Sequence, residues 1–295
     1  QHTVLMVHGV SGYVFETDGT FLPCVPTTWL ASTAYALGAA VSPSPANGYC
    51  YDCTVAGTTS GTQPTWPTTV GSTVTDGAVT WTCREQAFPT PHQPYPIFLD
   101  GYLFLAKTDT QDIQNCDLNY PLKWSAGNYC TAEMYQDTVV ALAKNNNMIY
   151  GIGQNSVQFF YDNANPTGTP LLNNPGTVLQ FGTPAPMTVV QTDEEVILVG
   201  DSAAGGRSVW SIDGSKAKEI SIPAVCQAID AELTLIPEAI ACSIRIMGQK
   251  LYILSLSTST WVYSFTTKMW SQWTGASGVF TAARSTSNDE GGFSV

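Results

Sequence analysis

The residues of this chain best suited to chemistry are its cysteines, and their spacing supports little of it. Cys50 and Cys53 form a Cys-Tyr-Asp-Cys step, with Cys24 and Cys83 nearby. Four thiolates could hold zinc, but a second Cys-x-x-Cys is missing, and Tyr51 and Asp52 suit a strand better than a metal knuckle. A Cys53–Cys83 disulfide, or one made by Cys50, is the other alternative. Buried free thiols in a protein made in a reducing cytosol are the preferred reading, since most of the eight cysteines, Cys116, Cys130, Cys226 and Cys242 included, fall in apolar strand-like runs. The glycine run GIGQNS (151–156) superficially suggests a dinucleotide site. It precedes a strand rather than a helix, so no helix N-terminus is there to hold phosphate, and it reads as a hairpin turn. The acidic pairs Glu194–Glu195 and Asp289–Glu290 are expected in turns. Histidine is limited to His2, His8 and His92, and no Gly-x-Ser-x-Gly, His-Glu-x-x-His or Walker loop occurs. We expect no enzyme, no cofactor and no metal.

Composition narrows the partners. The 295 residues carry 11 basic and 23 acidic side chains, a net charge of −12, with 44% hydrophobic and 11% aromatic residues. So few cations cannot grip DNA or RNA by phosphate neutralisation. No apolar run reaches the roughly 18–20 residues of a membrane span, so no membrane insertion is expected. The chain starts inside an expected strand and stops abruptly at GGFSV, which suggests a longer parent protein.

The elements that must position these residues are strands in a recurring three-strand pattern. TVVALAK (138–144), MIYGIG (148–153) and VQFFYD (157–162) form one triplet. MTVV (187–190), VILVG (196–200) and SVWSID (208–213) form another, and SIRIM (243–247), LYILSL (251–256) and TWVYSF (260–265) a third. Upstream, PIFL (96–99), YLFLAK (102–107) and DIQNC (112–116) match. Middle strands start at Tyr102, Met148, Val196 and Leu251, spaced by about 46, 48 and 55 residues, the period of blade-type repeats. TVLMV (3–7) with YVFE (13–16), and VFTAARS (279–285), read as parts of further units. The predicted fold is all-β, a β-propeller with four or more blades represented. PAVCQAIDAEL (223–233) is the best helix, with Pro223 in its first turn.

One stretch breaks the period. Residues 27–83 are rich in Thr, Gly and Pro, with Asp52 and Asp76 as their only charges. The expected organisation is a partial blade over 1–26, an inserted small β module over 27–83, and further blades over 84–295. The module ends in a hairpin, TVTDGAVTWTC (73–83), with Asp-Gly as the turn. That segment and SIDGS (211–215) evoke Asp-box turns, but neither keeps the Ser-x-Asp-x-Gly-x-x-Trp order. Trp29, Tyr35, Tyr49, Tyr51, Trp66 and Trp81 are many rings for so short a module. They are candidate glycan-stacking residues, although a core for the module itself is the preferred reading.

The run AEMYQDTVVALAKNNNMIYGIGQNSVQFFYD (132–162), followed by KEISIPAVCQAIDAEL (218–233) and TWVYSFTTKMWSQW (260–273), resembles the tail-hub or packaged-DNA stabilisation proteins of short-tailed bacteriophages. WLASTAYALGAAV (29–41), NGYCYDCTVAGTTSG (47–61) and PTWPTTVGSTVTDGAVTWTC (64–83) are similar to a small module of phage tail and fibre proteins. The resemblance implies a virion structural protein of the tail, made in the bacterial host cytoplasm. It implies a homo-oligomeric ring, typically a hexamer, below portal and adaptor proteins. Such a hub or nozzle extends and closes the channel for double-stranded DNA and carries fibre, spike or needle proteins. The alternative is a tail receptor-binding or glycan-recognition protein that uses the module.

Overall fold

A computed structural model describes residues 4–15, 21–85, 88–165, 167–202, 206–232, 235–275 and 278–279. The chain gathers into two compact units. The first comprises Gln1–Thr108, Asp112–Thr131 and Asn165–Pro170, and the second Asp109–Gln111, Ala132–Ala164 and Leu171–Val295.

The second unit is built from three successive antiparallel sheets. One contains Val139–Asn145, Met148–Gly153, Val157–Asp162 and Leu171–Leu179, and the next Val190–Gln191, Val196–Ser202, Gly206–Asp213 and Lys216–Glu219. The last contains Ile240–Ile246, Gln249–Ser255, Thr260–Ser264, Met269–Gly275 and Gly278–Val279. In each, consecutive strands are neighbours, as hairpin connections require. Strand periodicity explains why they stack. Along Val196–Ser202, Val196 and Leu198 enter a core with Tyr150, Ile152 and Phe159 of the preceding sheet. Their neighbours Ile197 and Val199 enter a core with Tyr252, Leu254 and Tyr263 of the following sheet. A strand buried on both faces reads as a continuous apolar run and glues two sheets at once. Each such side chain contributes about 1.5–3 kcal/mol by leaving water.

The first unit holds a fourth sheet of this kind, Ile97–Leu99, Tyr102–Ala106, Asp112–Asp117 and Tyr120–Thr131. Its Leu105, Cys116 and Trp124 share a core with Val14 of the three-stranded sheet of Val4–His8, Ser11–Phe15 and Phe21–Pro23, and with Cys24 just after that sheet. Residues 27–85 form a separate five-stranded sheet in the order Thr27–Thr28, Ala40–Ser42, Tyr49–Val55, Val79–Glu85, Thr73–Asp76. A two-stranded ribbon, Ala34–Tyr35 with Gly57–Thr58, lies beside it in sequence. The fold is a β-propeller in which the blades are antiparallel sheets of four strands, the last with a fifth.

The predicted triplets are the first three strands of each blade, and the structure adds a fourth. Leu171–Leu179 carries Pro175 and two asparagines and Lys216–Glu219 is Lys-Ala-Lys-Glu, so these outer strands lack the apolar alternation that marks a strand. MTVV is only partly a strand. Pro186–Thr188 is a 3-10 turn. The Thr188 hydroxyl donates to Ala185 O (2.7 Å) and accepts the Val199 N–H (3.1 Å), which closes the turn. The helix runs over Pro223–Asp230, ending before the predicted 233, and Val225 and Ile229, four residues apart, bury its inner face. The Thr73–Asp76 and Val79–Glu85 strands form the expected hairpin, but Asp76 pairs with Val79, so the turn is Gly77-Ala78. Gly77, at φ +62°, takes the left-handed conformation a tight turn needs. The end of the predicted strand 279–285, the pair Asp289–Glu290 and the GGFSV terminus lie outside the described residues.

Candidate functional site

The small sheet of residues 27–85 concentrates the candidate residues. Strand alternation puts Tyr51, Cys53, Val79, Trp81 and Cys83 on one face, where they bury together with Trp29 and Val41. Tyr35, Tyr49 and Trp66 pack against this cluster and keep partial exposure. Tyr35 meets Trp81 edge-on at 5.1 Å, and Trp66 lies 4.3 Å from Tyr51 and 6.1 Å from Trp81 between ring centroids. The six predicted rings are therefore one cluster, with Trp29, Tyr51 and Trp81 inside it.

Their polar ends are engaged within the sheet. Asp76, 2% exposed, accepts the indole N–H of Trp29 (2.8 Å) and of Trp81 (3.2 Å), and both the amide (2.9 Å) and hydroxyl (2.6 Å) of Ser60. Burial pushes the Asp76 carboxyl up, but these four donors outweigh it and hold the group below the ordinary carboxylate range. The Tyr51 hydroxyl donates to Pro67 O (2.9 Å) and accepts from Asn47 (2.8 Å). Trp66 donates to Gln63 (3.0 Å), and the Tyr35 hydroxyl accepts the Leu30 amide (3.0 Å).

The opposite face carries the ionic chemistry. Arg84 Nε reaches both Asp52 carboxylate oxygens at 2.9 and 2.8 Å. The same guanidinium donates to Pro23 O (3.0 Å), at the end of the three-stranded sheet. Asp52 and Arg84 thus sit where the small sheet is rooted in its unit. Cys24 and Cys50 lie near this pair, and burial pushes each thiol up to about 12. The four cysteines that suggested zinc divide between two faces. Register places Cys53 opposite Trp81 and Cys83 opposite Tyr51. They are diagonal neighbours, at about 7–8 Å between Cα atoms, beyond the reach of an unstrained disulfide. All eight cysteines are free thiols. Among the described residues no group of three or more His, Cys, Asp or Glu side chains is placed to hold a metal.

In the second unit GIGQNS is a hairpin turn, with Met148–Gly153 antiparallel to Val157–Asp162 and Gly153 N–H bonded to Ser156 O (2.8 Å). The Asp137 carboxylate accepts the Asn155 amide (2.6 Å) and the Ser156 hydroxyl (3.2 Å), which ties the turn to the segment ahead of the sheet. Glu232, 4% exposed, repeats the device. It accepts the Ser257 hydroxyl (2.6 Å) and the Thr258 amide and hydroxyl (both 3.1 Å) in the corresponding turn of the last sheet. Glu194 and Glu195 are in a hairpin turn closed by Thr192, as expected. Next to them, 70%-exposed Asp193 pairs with Lys250 (3.0 Å) and Arg245 (3.4 Å), a surface arrangement that adds little stability. Sequence reasoning missed Asp137, Glu232 and Arg84. Each acts on residues far along the chain, without a local motif.

No helix among the described residues is long and apolar enough to cross a membrane. A search of curated proteins finds no match. Among solved structures, the chain aligns with PorZ, an essential bacterial surface component of the type-IX secretion system of Porphyromonas gingivalis, at 9% identity and a TM-score of 0.34. That alignment covers 92% of this chain and 31% of PorZ. The N-terminal domain of Nup159 aligns at 10% identity and a TM-score of 0.34, over 92% of this chain and 69% of that one. The chain thus spans about a third of the length of PorZ. A family model described as "Bacteriophage P22 Gp10, beta-propeller" matches residues 94–286, the segment that contains the three four-stranded sheets and the five-stranded last one. Since the match covers well over half of the chain, the chain belongs to the phage-stabilisation β-propeller family of bacteriophage P22 Gp10.

Proposed function

We propose that this phage structural protein is a tail hub or nozzle. It assembles as a homo-oligomeric ring, a hexamer in the simplest case, extends and closes the DNA channel, and carries fibre, spike or needle proteins below the portal and adaptor. It resides in the virion tail, performs no catalysis and uses no cofactor. Residues 27–83 are an inserted module on one blade connection. The observation that carries this reading is the family match over four consecutive blades. The charge is consistent with it. At −12 the protein repels a DNA polyanion and lets it slide.

The glycan-recognition alternative would rely on Tyr35, Tyr49 and Trp66, the rings that keep exposure. The engaged polar ends of Tyr35 and Trp66 favour the hub. Mass photometry and negative-stain microscopy of the purified chain test it. A sixfold or twelvefold ring is expected. A monomer or trimer with glycan-array binding abolished by Trp66→Ala would replace the hub with recognition.

A further inference from the structure

The small sheet and the rest of its unit keep separate apolar cores. The cluster around Trp81 is drawn wholly from residues 29–83, and the neighbouring cluster around Trp124 wholly from residues outside 27–85. Arg84, 9% exposed on the Val79–Glu85 strand, crosses between them. Its guanidinium points three ways. Nε donates to Asp52, its diagonal neighbour on the adjacent strand, at 2.9 and 2.8 Å. One terminal nitrogen donates to Pro23 O (3.0 Å), at the end of the three-stranded sheet. The other reaches Leu122 O (3.5 Å), on the fourth strand of the neighbouring blade.

Apolar burial is not directional, so even a merged core would leave the angle between the two bodies loosely set. A planar guanidinium is different. Its donors leave in fixed directions, and meeting a carboxylate and two backbone carbonyls at once defines one orientation. Burial pushes the Asp52 carboxyl up even beside Arg84, so the ion pair adds little to stability. What it supplies is direction. We propose that Arg84 fixes the seat of the small sheet: two folded bodies with separate cores are held at one angle by its fork, and the sheet swings when the fork is removed. Residues 27–85 are then a rigid extension of their unit rather than a tethered one. This holds for the hub and for the recognition alternative equally.

The test uses the full chain with nitroxides carried on p-acetylphenylalanine at Leu37 and Tyr129, both exposed, one in the small sheet and one in the blade. Electron–electron double resonance then reads the distance between the two bodies. With Arg84 present, one narrow distance is expected. Arg84→Met removes the charged hydrogen bonds, which shifts the balance toward unseated positions by about tenfold or more, so the narrow distance is lost. Arg84→Lys keeps the charge without the fork and is expected to lose it too. Tryptophan fluorescence in urea confirms that the sheet itself remains folded in each variant. A narrow distance that persists in folded Arg84→Met would overturn Arg84 as the seat. One that persists in Arg84→Lys alone would overturn the fork, since any cation would then suffice. A broad distribution in the otherwise unaltered chain would show that no fixed seat exists. If Arg84→Met does not fold, Arg84→Lys decides.

Discussion

Trp29 donates its indole N–H to Asp76 at 2.8 Å across 47 residues of chain. Trp81 and Ser60 converge on the same carboxylate, so one anion ties the first, middle and last parts of the small sheet. Asp76→Ala leaves two buried indole N–H groups and the part-buried Ser60 amide without their acceptor, while the Ser60 hydroxyl keeps Thr62 O (2.6 Å). At about 1–3 kcal/mol for each orphaned buried donor, partly offset by water, the expected loss is about 3 kcal/mol or more, read as a lower urea midpoint by tryptophan fluorescence. Because the fold lowers the Asp76 pKa, its contribution is complete above the ordinary Asp value of about 3.9 and fades as pH falls below it. An unchanged midpoint in Asp76→Ala would mean the carboxylate is not the tie.

His92 gives acid sensitivity in a different window. It is 2% exposed, its Nε2–H faces Ser11 O at 3.3 Å, its Nδ1 has no partner, and its ring meets Phe88 edge-on at 5.3 Å. Burial lowers its pKa to about 4, against an ordinary 6.5. The fold therefore favours neutral imidazole. No penalty exists above about pH 6.5, and a penalty grows as pH falls from there toward 4. At full extent it is about 3 kcal/mol. The loss of melting temperature between pH 7.5 and 4.5 should shrink in His92→Phe. Equal losses in both proteins would exclude His92 as the cause.

The Asp137 turn is sensitive from both sides. A Cβ at Gly153 would collide with the Asp137 carboxylate and crowd Thr138 O at 3.0 Å. Gly153→Ala should cost about 1–3 kcal/mol by overpacking, and Asp137→Ala about 1.5–3 kcal/mol by loss of charged hydrogen bonds. In the double variant the two losses should not add, since removing the Asp137 carboxylate leaves room for the added methyl. Full additivity in denaturant titrations would show that the two residues do not meet.

Thiol accessibility separates the cysteines. Cys130 and Cys226 are partly exposed and the other six are buried. Burial also pushes Cys130 up to about 12, which keeps it as unreactive thiol at neutral pH. Native iodoacetamide labelling at pH 8 followed by peptide mass spectrometry should modify Cys226 first, and the rest only on unfolding. Early modification of Cys53 or Cys83 would contradict the packed aromatic face.

Much of the fold was legible because buried strands write their environment into sequence. Val196–Val199 is apolar without interruption since both its faces are covered, and the turn chemistry of 151–156 follows from its glycines. The outer strands were illegible for the same reason reversed. Lys216–Glu219 faces water, so nothing apolar marks it. At the candidate site, the six rings were visible as composition, but their common centre on Asp76 was not. Asp76 occupies a hairpin, where aspartate is ordinary, and only tertiary contact separates a turn-former from a buried acceptor.

Asp137 and Glu232 share a mechanical consequence. Each lies on the segment leading into a sheet and bonds to the turn between that sheet's second and third strands, at the end where the first strand begins. Tension on that segment reaches a side-chain clasp before it reaches the strand ladder. A blade clasped this way resists peeling from its leading end, and it yields as a whole rather than one strand at a time.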